Sequence, residues 1–211
     1  TGGTSAIGDG YPDPFAGAAG TSCALTCAAT LGPCYAATIE RKDLSEGNPG
    51  LPVRLALLVV DAGCNPVQGA EVDVWHTSYR GLYSGSDAAD MCTEGDAQAA
   101  SARWFRGVQR TDAEGRVAFD TCYPGWYAGR AVHVHFQVRI GGIEYLTSQL
   151  FFPTSVNVDV YSTHEVYAPF GQPDTSNETD GIYDAAFLFD VERMRDGVML
   201  ASKRVVLRAS S

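Results

Sequence analysis

An all-β fold, an antiparallel β-sandwich, is what this sequence predicts, and three features point to it. Apolar and β-branched residues fall in short runs of strand length. Turn residues separate the runs at intervals of roughly 8–12 residues, the rhythm of sandwiches and barrels. Helical periodicity is scarce, with residues 162–167 and 191–195 the short candidates.

The first run is residues 51–61 (LPVRLALLVVD), ended by Ala62-Gly63-Cys64-Asn65-Pro66. In the second, residues 70–76, Val72, Val74 and His76 alternate against Asp73. Residues 106–111 and 116–120 flank the turn Asp112-Ala113-Glu114-Gly115, and further runs cover 131–140, 144–152, 185–191 and 198–208. Two long segments, 83–103 and 153–184, lack strand character, and long loops on a sheet scaffold are where site residues tend to sit. Residues 1–22, rich in Gly, Ala, Ser and Thr, read as a flexible or surface-laid tail, which leaves 23–211 as one domain.

With 211 residues, 45% of them hydrophobic, the chain can bury one sizeable core. A net charge of −10 without a basic patch argues against nucleic acid and anionic membrane as partners, and no apolar run approaches a membrane span. Six cysteines, at 23, 27, 34, 64, 92 and 122, lack the paired spacing of a zinc ribbon. An even count on an acidic chain reads as three disulfides formed in an oxidising compartment, with their connectivity open; buried free thiols are the alternative. A first residue of Thr1 rather than Met fits a processed or trimmed chain, so the expected location is extracellular.

The chemistry begins at His133-Val134-His135. On a strand, alternate side chains share a face about 6.6–6.8 Å apart, so two imidazoles can converge on one metal ion. Alone the pair is equally consistent with packing. Its context adds Tyr127 at the end of the turn Tyr123-Pro124-Gly125-Trp126-Tyr127, and Tyr83 in the glycine-containing loop that follows Trp75-His76. No H-x-x-E or paired-acid pattern accompanies them, which disfavours a two-His-one-carboxylate ferrous site.

Four segments together resemble the intradiol ring-cleavage dioxygenases, the family of catechol, hydroxyquinol and protocatechuate dioxygenases. They are Thr30-Leu31-Gly32-Pro33-Cys34-Tyr35, residues 75–84, residues 123–135 and Leu146-Thr147-Ser148-Gln149-Leu150-Phe151-Phe152, in the family's order. The resemblance implies a transthyretin-like sandwich as the catalytic domain and a non-haem Fe(III) cofactor held by Tyr83, Tyr127, His133 and His135. It further implies Arg130 over the substrate ring, Gln149 on the oxygen side, and Tyr35 and Trp126 as pocket residues. In the implied reaction a catechol-type substrate is opened by O2 between its hydroxylated carbons to a muconate-type dicarboxylate. Tyr127 leaves the metal to accept a substrate proton, while Tyr83 and His133 stay. Lacking a cationic residue reserved for a ring carboxylate, the chain is expected to turn over plain or alkyl catechols, with hydroxyquinol, at least as well as protocatechuate.

Two departures limit the analogy. Cys34 stands where many relatives carry an aromatic, and Thr77 where some secreted relatives carry cysteine. The long amino-terminal helical segment of the dimeric catechol enzymes is also missing from this stretch, so a monomer or small homo-oligomer is expected. Two other readings remain: a transthyretin-like sandwich that binds an aromatic ligand or metal without turnover, and a copper or zinc sandwich protein. His76 and His164 are expected to be structural.

Overall fold

Period-two alternation produces strands wherever the short apolar runs stand. The computed structural model describes residues 3–17 and 23–208. Among them run β1 (Pro52–Asp61), β2 (Glu71–Trp75), β3 (Arg106–Arg110), β4 (Arg116–Cys122), β5 (His133–Ile140), β6 (Ile143–Phe151), β7 (Asp190–Arg193) and β8 (Met199–Leu207). They form two four-stranded sheets, in the orders β4-β1-β8-β7 and β3-β2-β5-β6. Inward side chains of both sheets, Leu55 and Val205 from one and Val74 and Phe136 from the other, share one buried core. The Asp112–Gly115 turn crosses between the sheets, with Asp112 accepting from the backbone N–H groups of Glu114 and Arg116.

Three expectations need correction. The sheets are not purely antiparallel: β1 and β8 pair in parallel over Val53↔Met199 to Asp61↔Leu207, because β8 returns from a long excursion rather than a hairpin. Residues 191–195 are not a helix. Val191 packs on the core and its backbone pairs with Ala201 of β8, so the strand outcompetes local propensity. Residues 185–191 begin as a 3-10 turn (Ala185–Phe187), capped by Asp184, and only their end is strand.

Helix exceeds the expectation as well. The 162–167 candidate catches only the end of α3 (Thr154–Thr163), which buries Asn157, Val160 and Tyr161 at i, i+3 and i+4. Two short helices, α1 (Asp90–Thr93) and α2 (Ala97–Ser101), lie in the 83–103 segment, with Asp96 capping α2 through the N–H groups of Gln98 and Ala99.

Two disulfides form, Cys23–Cys64 and Cys34–Cys92, rather than three. Cys122 is buried beside Ala99, Trp104 and Phe105, whereas Cys27 lies exposed near β6, so the remaining thiols sit in different surroundings and stay free. Within the amino-terminal stretch, Thr4 donates to Asp43 at 2.7 Å, Tyr11 to Asp196 at 2.7 Å, and Phe15 packs on Leu58, Val60 and Val206. Residues 1, 2 and 18–22 of the expected tail lie outside the described residues.

The site is placed by the second sheet. Along β5, Val134, Phe136 and Val138 face the core, so His133, His135 and Gln137 must face outward. Yet both histidines are buried, at 3% and 2% exposure, because loops roof this end of the sheet.

Candidate metal centre

The two histidines arrive by strand alternation; the two tyrosines arrive on loops stapled to each other. Thr77 donates its hydroxyl to the Gly125 carbonyl at 2.6 Å, and the Gly125 N–H donates to the Ser78 carbonyl at 3.0 Å. Gly81, at φ +79°, lies against the Trp126 carbonyl so closely that any Cβ would collide with it. The loops carrying Tyr83 and Tyr127 therefore approach backbone to backbone, and their rings meet edge-on at 5.8 Å.

Four donor atoms converge. His133 Nε2 lies 3.1 Å from His135 Nε2, 3.4 Å from Tyr83 Oη and 3.3 Å from Tyr127 Oη. His133 Nδ1 donates to the Ala131 carbonyl at 2.7 Å, which leaves the Nε2 lone pair facing the cluster. Trp75, paired with His135 across the ladder, stacks on its ring at 5.0 Å and 10°. On the same ring, a Cβ at Gly32 would meet Cε1 at 3.1 Å, so the Thr30–Tyr35 loop needs glycine to sit there. Since His135 Nδ1 is buried without a hydrogen-bond partner, stacking is what orients this imidazole.

This arrangement is poor as a hydrogen-bond network. Tyr83, Tyr127 and His135 all approach one imidazole nitrogen, which has a single lone pair to accept with. Burial raises the Tyr83 pKa well above its ordinary value, helped by the neighbouring Tyr127, and burial likewise raises that of Tyr127. Burial, aided by the charge of Arg130, lowers His133 to about 3, and burial with the neighbouring His133 lowers His135 well below its ordinary value. Protein alone would thus hold two neutral phenols and two neutral imidazoles at neutral pH. Ionising even an unperturbed phenol at pH 7 needs ~4 kcal/mol, so these buried ones need more.

A cation at the centre resolves the crowding, since it takes a lone pair from each donor. Ligands about 90–110° apart on one ion at ~2.0–2.2 Å would lie roughly 2.8–3.6 Å from each other, a range that includes the observed separations. Two oxygen and two imidazole donors without thiolate suit a hard ion such as Fe(III). Among the described residues no group of three or more His, Cys, Asp and Glu stands together where it could hold a metal ion.

Arg130 and Gln149 stand beside the donors and bond to each other, Arg130 Nη2 donating to Gln149 Oε1 at 2.6 Å. Gln149, opposite His135 in the β5–β6 ladder, donates weakly to Thr30 at 3.4 Å. The other pocket candidates have partners of their own, and Tyr35 packs with Tyr127 on the cluster of Cys34, Trp75, Tyr83 and Cys92. The Tyr35 hydroxyl donates to Asp73 at 3.1 Å while its ring meets Trp75 edge-on at 4.9 Å. Trp126 packs on the main core and donates to the Gly171 carbonyl at 3.2 Å. His76 is a core histidine held by Thr121 and the Thr77 carbonyl, both at 2.8 Å, and His164 accepts from the Val166 N–H at 3.3 Å.

Sequence reasoning missed three contributors. Trp75 shares an outward face with His135, but only the strand pairing reveals it. Arg106 is wholly buried behind the Tyr83 ring, donating to the Ser84 and Cys34 carbonyls at 2.6 Å each. Asp180, whose side chain is fully buried, accepts from Arg130 Nε at 2.9 Å, 50 residues away in sequence.

A dioxygenase family profile matches residues 31–165. Chlorocatechol 1,2-dioxygenase of Pseudomonas putida is 31% identical over 144 residues, covering 59% of this chain and 50% of the relative. The chain thus spans about half the length of the curated relatives it matches. Among solved structures, an intradiol ring-cleavage dioxygenase from Tetranychus urticae superposes with a TM-score of 0.78 at 25% identity, covering 88% of this chain and 95% of that one. The dioxygenase domain of a carbohydrate-binding fusion protein from Streptomyces sp. SirexAA-E gives 0.67 at 26% identity, covering 89% and 100%. On sequence, fold and the convergence of two tyrosines with two histidines, the chain belongs to the intradiol ring-cleavage dioxygenase family.

Proposed function

We propose that the chain is a non-haem Fe(III) intradiol dioxygenase that opens catechol-type rings with O2 to muconate-type dicarboxylates. Tyr83, Tyr127, His133 and His135 hold the metal. The observation that carries this reading is the convergence of four donors within 3.1–3.4 Å of neighbours on one roofed sheet face, where protein groups alone satisfy each other badly. A ferric ion held by these residues would supply the positive charge that favours the ionised phenols and attracts the oxygens of a catechol.

The residues divide the remaining work. His133 is held by the Ala131 carbonyl and His135 by the Trp75 stack, so both present Nε2 inward without rearrangement. Tyr127 is the more exposed phenol, and it takes up a catechol proton on its Oη when substrate enters. Tyr83, at 2% exposure beneath its loop, stays in place. Arg130 offers its guanidinium to negative charge developing on the ring, with Gln149 fixing its orientation. The roofing loops limit water at the reacting carbons.

The catalytic unit is residues 23–211, with the transthyretin-like arrangement of its two sheets, and it acts as a monomer or small homo-oligomer. Two disulfides support folding in an oxidising, extracellular setting. Plain, chloro- or alkyl-substituted catechols, with hydroxyquinol, are the substrates that suit a site whose nearest cation, Arg130, is already engaged.

The test is iron content, visible absorption and oxygen uptake across catechol, hydroxyquinol and protocatechuate. One ferric ion per chain, a broad tyrosinate charge-transfer band and oxygen consumption with catechol are expected. A colourless protein that binds catechol without consuming oxygen would establish the sandwich as a binding module instead.

A further inference from the structure

Asp180 lies beyond the 31–165 stretch that carries the family match, on the turn after the 3-10 segment Asn177–Thr179. Its carboxylate is fully buried and every close partner is a donor. Oδ2 accepts from Arg130 Nε at 2.9 Å and from the Ala131 N–H at 2.8 Å, and Oδ1 accepts from the Ile182 N–H at 2.8 Å. Ala131 uses its other face for the site, because its carbonyl accepts from His133 Nδ1 at 2.7 Å. One carboxylate therefore grips both the guanidinium beside the donors and the backbone N–H of Ala131, the residue whose carbonyl, in the next peptide group, orients a donor imidazole. The neighbouring Asp174 reaches the same loop, accepting from the Gly129 N–H at 3.1 Å.

We infer that Asp180 is a positioning residue, acting through Arg130 on the reacting ring and through the backbone of Ala131 on His133. Three physical points carry it. Nε is tied to Asp180 and Nη2 to Gln149, so two of the three guanidinium nitrogens are fixed at once and the swing of its plane is restricted. A charge-assisted bond from a buried carboxylate is among the stronger restraints available to a half-exposed loop. Partners that orient metal-ligating histidines typically change metal affinity or activity 10–100-fold when lost. The inference rests on the proposed iron site, yet part of it concerns the metal-free protein.

The experiment uses the whole chain as Asp180→Asn, Arg130→Gln and the double variant, each free of metal and loaded with iron. In the metal-free Asp180→Asn protein, NMR should show solvent exchange at Arg130 Nε–H and His133 Nδ1–H faster by tenfold or more. In the iron-loaded protein, kcat for catechol should fall 10–100-fold with KM changing less. The share of the Asp180→Asn loss that runs through Arg130 should vanish in the Arg130→Gln background, because both act on one interaction, which makes the combined losses less than additive, while the share through Ala131 persists. If Asp180→Asn alone fails to fold, the double variant leaves neither charge buried unpaired and still reports His133 exchange. Unchanged exchange at both protons, or fully additive kinetic losses, overturns the inference. Failure of the functional reading would appear separately, as a wild-type chain that consumes no oxygen with any catechol while the exchange results stand on their own.

Discussion

The two disulfides allow stability to be separated from site geometry. Chain entropy makes closing the 58-residue loop of Cys34–Cys92 worth ~4.2 kcal/mol and the 41-residue loop of Cys23–Cys64 worth ~3.9 kcal/mol. The difference, about 0.3 kcal/mol, is small, so paired alanine variants should lose Tm alike, by roughly 8–16 °C for a chain of this length. Their positions differ completely. Cys92 offers its carbonyl to the Tyr83 N–H at 2.9 Å, and Cys34 closes the loop whose Gly32 rests on His135, so this bond ties two donor-bearing regions together. Cys23 packs on Leu58, Val60 and Val206, on the outer face of the other sheet. Iron affinity, measured by chelator competition, should therefore fall tenfold or more for Cys34→Ala/Cys92→Ala and hold for Cys23→Ala/Cys64→Ala. Equal affinity losses in the two pairs would refute the claim that the first disulfide positions the site, whatever the Tm values.

Three further outcomes follow from particular residues. Tyr127→Phe should keep iron and visible colour but turn catechol over about 10²–10⁴-fold more slowly, while Tyr83→Phe should alter the spectrum of the anaerobic catechol complex; the reverse pattern would exchange their roles. The metal-free protein should lose stability as pH falls from about 6.5 toward 4, because burial holds His76 at about 4 in the fold and the unfolded chain takes up its proton first. His133 and His135 act in the same sense, and His76→Gln should flatten the pH slope of the unfolding free energy from urea titrations by roughly 1 kcal/mol per pH unit. Alkylation without reductant should label Cys27 rapidly in the folded protein and Cys122 only after unfolding, with the other four cysteines unlabelled until reduction, as read by intact mass.

Much of this molecule is local and therefore readable in its sequence. Strand alternation depends only on which side chains must leave water, so β1 to β6 and β8 stand where the apolar runs predict them, within a residue or two. The same alternation sends His133 and His135 to one face, and the resemblance of the flanking segments supplied the two tyrosines that meet them. Pairing and packing between distant residues were not readable, because they depend on which surfaces come together after collapse. The Val191 segment has no local preference strong enough to resist β8, and became a strand. The cysteines carried no mark of which would meet: Cys34 and Cys92 do so because the Gly32 loop and α1 roof the same sheet end, while Cys122 is buried away from any partner thiol. Trp75 reaches His135 only through the β2–β5 register, and Asp180 reaches Arg130 only once the late loop folds back across the sheet. The residue types of the metal centre are thus set in the chain, and the supports that hold them at bonding geometry are decided by tertiary contact, since a buried charge or a stacked ring acquires its meaning from the neighbour that packing brings to it.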